Sequence, residues 1–418
     1  MADSGGNGLM LEGFRALELG DNAAYCGKIF TDLGAEVIRL ERPGGDPGRT
    51  EGPFLQDIPH PERSLPWLSY NARKKSVTLN IETTSGQELF RDLIKKADFL
   101  FEALPPGRME ELGLGYGTLS QTNPGLVMAS ISPFGQTGPY KDFQATDLVS
   151  MAMGGMMYVT GESDRPPHRI GYPQASLMAG CMAAIGSLIA NYHRGNTGSG
   201  QFLDVSMQES VTWGTMNASI FYEFTGVNLR RAGPHRAGLS GALQRIAWPC
   251  KDGAIVFFIA GGKPFARGNR ALVELMDQQG MADDFLRNIE WEAFDQGTMT
   301  QELHDTIEGK YMQFFMKYTK EELHKIGSDI GIRISPMFGP KDLLEYDQLE
   351  ERGYWQEVEH PHLEATFAYP APLFRTSPYG RKRTARAPLI GEQNEEIYIG
   401  EMGLSKEQLV TLRETGVA

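Results

Sequence analysis

Acidic residues are missing from one long stretch: between Asp164 and Asp204 the chain has neither Asp nor Glu, although it carries 53 acidic residues among 418. The gap contains "RIGYPQASLMAGCMAAIGSLIANYHRGNTGSGQ" from Arg169, which reads as a loop, a long apolar helix, a turn and the start of a strand. Cysteine is scarce too. Cys26, Cys181 and Cys250 are odd in number, far apart and without metal-ligand spacing, so reduced thiols in a cytoplasmic protein are expected. Positive charge is in deficit, 40 Lys and Arg giving a net charge of −13, which argues against nucleic acid or an anionic membrane as the main partner. The opening "MADSGGNGLM" has no basic or apolar segment of the export type. The most membrane-like run, Ala175 to Ala190, falls short of the roughly 20 residues of a bilayer span and is built largely from small residues, so a helix buried against protein is expected.

What is present organises the chain. "FRALELG" (Phe14 to Gly20) reads as an apolar strand, "AAYCGKIFTDLG" has helical spacing and a terminal glycine, and "AEVIRLERPGGDPGR" is a second strand entering a Gly/Pro loop. The pattern returns in "SVTLNI", "GQELFRDLIKKA", "DFLFEAL" and "LVMASISPFG". Alternation of this kind predicts an α/β fold with a Rossmann-like, doubly wound sheet. The loop "LGDNAAYCG" lacks G-x-G-x-x-G, which disfavours ordinary dinucleotide binding. At 418 residues two domains are expected. From about Trp248, "WPCKDGAIVFFIAGG" gives a turn and a strand before a charged helical stretch, and the tail ends in the amphipathic "SKEQLVTLRETG". The expected division is a large domain over 1–225 completed by 353–418, and a smaller α+β domain with linkers over 226–352.

Taken together, "GFRALELG", "DLGAEVIRLERPGGDPGR", "NARKKSVTLNI", "ADFLFEALPPGRMEELGLGY", "NPGLVMASISPFGQTGPY", "TDLVSMAMGGMMYVTG", "GQFLDVSMQES", "CKDGAIV", "RGYWQEVEHPHL" and "APLIGEQNEE", in this order over nearly the whole chain, resemble the class III CoA-transferases, the family of the carnitine CoA-transferases and α-methylacyl-CoA racemases. The resemblance implies a ring-shaped monomer interlocked with a partner ring. It also implies no tightly bound cofactor, with CoA and succinyl-CoA as substrates. In such transferases an Asp in a D-x-x-A-G pattern attacks the acyl-CoA thioester, and mixed anhydrides and an enzyme-bound CoA thioester follow. Ala179 and Gly180 supply the A-G, so the nucleophile position is Ser176.

A serine is a poor substitute. An anhydride keeps the acyl group activated, whereas an alkyl ester at Ser176 would trap it. A Ser/His hydrolase needs a base, His168 is only nearby in sequence, and "GYPQASLMAG" is no G-x-S-x-G elbow. Racemisation would need a His where Thr146 stands and an Asp where Ser176 stands. The family's E-N-F-x-P-G becomes "EALPPG" with Ala103 and Leu104, and Glu111 takes a position where an Arg often faces the nucleotide. Arg42 and Lys74 remain as the residues expected to bind CoA phosphates. "FIAGGKPF" (Gly261, Gly262) reads as a turn or a lid, "MAMGGMMYV" (Met151 to Val159) as core, and "GRKRTARAP" (Gly380 to Pro388) as a solvated basic loop.

A family-complete chain without the nucleophile matches one arrangement in the family: heteromers of two homologous subunits of which only one carries the Asp, the succinyl-CoA:(R)-benzylsuccinate CoA-transferases of anaerobic toluene degradation among them. The resemblance thus implies a catalytically silent subunit with an Asp-bearing partner, as an interlocked heterodimer or heterotetramer. Two alternatives stand beside it: a self-sufficient acyl-CoA enzyme using Asp147, Glu162 or Asp164, and a CoA-binding regulatory protein.

Overall fold

A computed structural model describes residues 9–237, 241–295, 297–372, 374–375 and 384–418. Part of the basic run, residues 380–383, lies outside them. The chain divides into two compact units: residues 1–156, 170–220 and 347–418 make the first, and 157–169 and 221–346 the second.

The first unit is built on six parallel strands. They are β1 (Arg15–Leu19), β2 (Glu36–Glu41), β3 (Lys75–Thr78), β4 (Phe99–Glu102), β5 (Val127–Ser132) and β6 (Phe202–Ser206). Their order is β3-β2-β1-β4-β5-β6, so the direction of winding reverses between β1 and β4, where α/β sheets open a crevice at the carboxyl ends of their strands. The strands are buried almost throughout from β1 to β5, as parallel strands covered on both faces are, and β1 and β2 carry charged Glu18 and Arg39 within that interior. Helix α1 (Ala24–Leu33) follows β1 and stops at Gly34, whose φ of 109° closes the helix in the left-handed conformation. Further along come α2 (Leu65–Tyr70), α3 (Thr84–Ile94), α4 (Asp147–Met153), α5 (Ala175–Thr197) and α6 (Met207–Gly214).

Helix α5 is long and apolar enough to cross a membrane by length and composition alone. Its small residues explain its place instead: Ala179, Gly180, Ala183 and Ala184 are buried, and a Cβ added at Gly180 would lie 2.9 Å from the Tyr25 Cβ and 3.1 Å from the Cys26 nitrogen on α1. Only a residue without a side chain permits that approach. The opposite face carries exposed Ile185, Ile189 and Tyr192.

The second unit contains a three-stranded antiparallel sheet formed by β7 (Ala247–Cys250), β8 (Gly253–Phe257) and β9 (Ile334–Pro336). Helices α7 (Lys263–Gln278), α8 (Gln301–Phe315) and α9 (Lys320–Ile330) accompany it over a core that includes Trp248, Phe257, Tyr311 and Phe315. The tail returns to the first unit as a hairpin of β10 (Trp355–His360) and β11 (Ala365–Pro370), then α10 (Lys406–Glu414), capped by Ser405 and Gln408.

Candidate active site

The missing acid is supplied to α5 from another element. Helix α5 has no acidic residue in its first turn and no side-chain cap from Gln174 before it. Asp147, the first residue of α4, takes that role across 29 positions of sequence: Oδ1 accepts from the Ser176 N–H at 3.0 Å and from its hydroxyl at 3.4 Å, while Oδ2 accepts from the Gln174 N–H at 3.1 Å. The carboxylate therefore meets the positive end of the helix dipole and binds donors that would otherwise lack partners. Ser176 sits half-buried in that first turn with Asp147 as its hydroxyl partner.

The other sequence candidates are dispersed. Glu162, Asp164 and His168 belong to the second unit. There a Cβ on Gly161 would lie 3.0 Å from the His168 ring, whose residue also bonds Thr160 through its backbone. Gly261 is pressed against the Phe294 backbone, and Gly262, at φ 84°, donates to the Trp291 carbonyl and starts α7. Both glycines are thus required by a tight turn. Thr146 precedes α4 as its N-cap residue, and exposed Glu111 pairs with Arg108 at 2.8 Å. Of the Met-rich stretch, Met151 is buried and Met153 is exposed.

Arg42 and Lys74 have very different surroundings. Arg42 is exposed, with no side-chain partner among the described residues. Lys74 is buried: its ammonium bonds both Glu18 carboxylate oxygens at 2.7 and 2.9 Å, the Ala24 carbonyl at 2.8 Å and Asn71 Oδ1 at 2.9 Å. Burial lowers its pKa to about 8 against the opposing pull of Glu18. In this arrangement the ammonium faces Glu18 rather than any surface a phosphate could reach.

Lys74 is part of an ionic cluster at the carboxyl ends of β1 and β2. The buried Arg39 guanidinium bonds Glu18 at 3.0 Å, the Gly20 carbonyl at 2.7 Å, Asp21 at 3.0 Å and Asp46 at 2.7 Å. Asp46 in turn accepts from the Gly48 N–H at 3.0 Å, fixing the "GGDPGR" loop that follows Arg42. Arg49 from the same loop pairs with Glu41 at 2.6 and 2.8 Å and lies 4.1 Å over the Trp67 ring. Asp21 stands at the open edge of this cluster, its side chain 41% exposed.

On the other side of the switch point stands Glu102, at the end of β4. Its carboxylate accepts from the Ser130 hydroxyl and, at 2.8 Å, from the Leu104 N–H, and so holds the "EALPPG" loop. Burial pushes this carboxyl up to about 7, against those two hydrogen bonds. A carboxyl whose folded-state pKa is raised contributes stability that is fully present below its unfolded pKa and is lost as pH rises through about 7. Glu102→Gln should therefore flatten the fall in thermal midpoint between pH 5 and pH 8 relative to the parent protein. Parallel pH dependences, by differential scanning calorimetry, would refute this.

Motif and fold now converge on comparisons with known proteins. The profile of CoA-transferase family III matches residues 11–394, and the chain belongs to that family. It is 34% identical to the succinyl-CoA:(R)-benzylsuccinate CoA-transferase subunit BbsE of Thauera aromatica, over 92% of this chain and 93% of that protein. It is 33% identical to the succinyl-CoA–D-citramalate CoA-transferase of Chloroflexus aurantiacus, over 96% of each. Among solved structures, a CaiB/BaiF family protein from Brucella suis is similar with a TM-score of 0.80 at 26% identity, over 94% of this chain and 99% of that one. The α/β architecture expected from the sequence is the one this family has.

Neither the ionic cluster nor the Asp147 bridge follows from the order of residues, since both join segments far apart in sequence. The sequence hint of the cluster is the density of charge in "RLERPGGDPGR", and of the bridge the presence of Asp147 as a candidate acid.

Proposed function

We propose that this chain is the non-catalytic subunit of a heteromeric class III CoA-transferase that moves CoA from succinyl-CoA to a carboxylic acid such as benzylsuccinate. One observation carries the reading. At the head of α5 the side chain is a serine hydroxyl, and the carboxylate beside it, Asp147, is engaged by three donors. A serine ester would not keep the acyl group activated, and a carboxylate held in a helix cap has its lone pairs directed at those donors rather than at a thioester.

The nucleophile in this reading comes from an Asp-bearing homologous subunit interlocked with this one in the cytoplasm. The Thauera relative is itself named as a subunit, which supports a division of labour. Exposed Ile185, Ile189 and Tyr192 on α5 and Trp213 on α6 are apolar surface suited to a partner. Arg42 is the cation offered to CoA phosphate, while Lys74 holds Glu18.

One observation favours a second reading. Asp147 lies beside Ser176 and is the one of the three alternative acids in the first unit, so a self-sufficient transferase would use it. The test is CoA transfer from succinyl-CoA to benzylsuccinate by this chain alone and with an Asp-bearing homologue. Activity only in the mixture is expected; activity of this chain alone, lost in Asp147→Asn, would favour the second reading.

A further inference from the structure

The tail hairpin holds a histidine that its surroundings leave without a partner. His360, the last residue of β10, is fully buried, and neither of its ring nitrogens has a hydrogen-bond partner among the described residues. The ring stacks on Tyr369 of β11 with centroids 5.6 Å apart, meets Phe367 edge to face at 5.3 Å and lies 5.7 Å from the ring of His362. An imidazole can stay in such a site while it is neutral. A proton on it would bring a charge into aromatic packing, with nothing there to receive its N–H groups.

The neighbouring groups add to that cost. Burial first, then His362 and Arg386, lower the pKa of His360 to about 4. Glu62 and Glu392 act on His362 instead and are engaged elsewhere, with Arg49 at 2.7 Å and with Arg386 at 2.5 Å. Tyr369 stays a neutral phenol, its pKa pushed up by burial. The residues that the hairpin meets in and after α2, Trp67, Leu68 and Ala72, carry no charge.

The hairpin in turn supports the loop that follows Arg42. Ala72, just after α2, packs with Val358 and Tyr369, and Leu363 between the two strands packs with Trp67 and Leu68 of α2. The Arg49 guanidinium lies 4.1 Å over the Trp67 ring, and Arg49 closes the "GGDPGR" loop. We propose that His360 is a proton-sensitive latch: neutral, it seals the hairpin onto α2; protonated, it leaves the packing for water, the hairpin opens and the "GGDPGR" loop loses its support. The latch stands on this packing alone. A consequence for CoA binding rests on the reading of Arg42 as a phosphate ligand.

A base whose folded pKa lies below its ordinary 6.5 takes up its proton in the open form, so closure is at full strength above pH 6.5 and weakens as pH falls toward about 4. Hydrogen exchange of the full chain, corrected for the intrinsic rate, should show opening of 355–370 increasing about tenfold per pH unit below 6.5. Residues 42–50 should follow, while β4 and β5 hold their protection. The rise should vanish in His360→Phe and persist in His362→Gln. Histidine-labelled NMR of the parent gives a second readout that needs no variant: the His360 ring should stay neutral to below pH 5 while the hairpin is closed. The same rise in His360→Phe, no rise in the parent, or a His360 ring that titrates near 6.5 in the closed hairpin would overturn the proposal. Failure of CoA to bind would count against the reading of Arg42 only, because exchange is measured without CoA.

Discussion

Arg39→Met should destabilise the first unit by about 3–5 kcal/mol, the cost of breaking a buried ion pair from one side. Arg39 is fully buried and holds Glu18, Asp21 and Asp46 together. Burial alone disfavours its charge, but Asp46, Glu18 and Asp21 outweigh that and its pKa rises. Methionine has similar length and no charge, so the substitution leaves an acidic cluster with Lys74 alone to neutralise Glu18. The Gly20 carbonyl also loses its donor. Urea unfolding should show a lower midpoint with an unchanged slope. A midpoint within error of the parent would mean that water already compensates these carboxylates.

The second large effect is catalytic. In the proposed heteromer, replacing the nucleophilic Asp expected on the partner by Ala should lower turnover by about 10³-fold or more, as removal of a covalent nucleophile does. Ser176→Ala in this chain should change it less than about twofold, since among the described residues the Ser176 hydroxyl makes one long contact, 3.4 Å to Asp147. Steady-state rates of both variants decide the matter. Comparable losses in the two would place Ser176 in the reaction.

Local pattern made much of the architecture legible. "FRALELG" became β1, "AAYCGKIFTDLG" became α1 and ended at Gly34, and the later apolar runs became β3, β4 and β5, because strand and helix periods are properties of a few adjacent residues. Lys74 shows what pattern cannot reach. In "NARKKS" it reads as a surface cation, yet parallel pairing of β1, β2 and β3 sets it beside Glu18, 56 positions away. The same limit applies to the candidate site. Ser176 was identified by its spacing to Ala179 and Gly180, but nothing in the order of residues says that Asp147 caps the helix on which Ser176 sits. That contact depends on where α4 and α5 come to rest, a tertiary outcome.

The central claim is that this chain carries no nucleophile. It is tested most directly by trapping: the assembled transferase is mixed with succinyl-CoA, the enzyme-bound thioester is captured by borohydride reduction, and the modified peptide is found by mass spectrometry. The account predicts modification of one Asp on the partner subunit and none on peptides of this chain that contain Asp147 or Ser176. A reduced carboxyl at Asp147 would contradict it and make this chain a transferase in its own right.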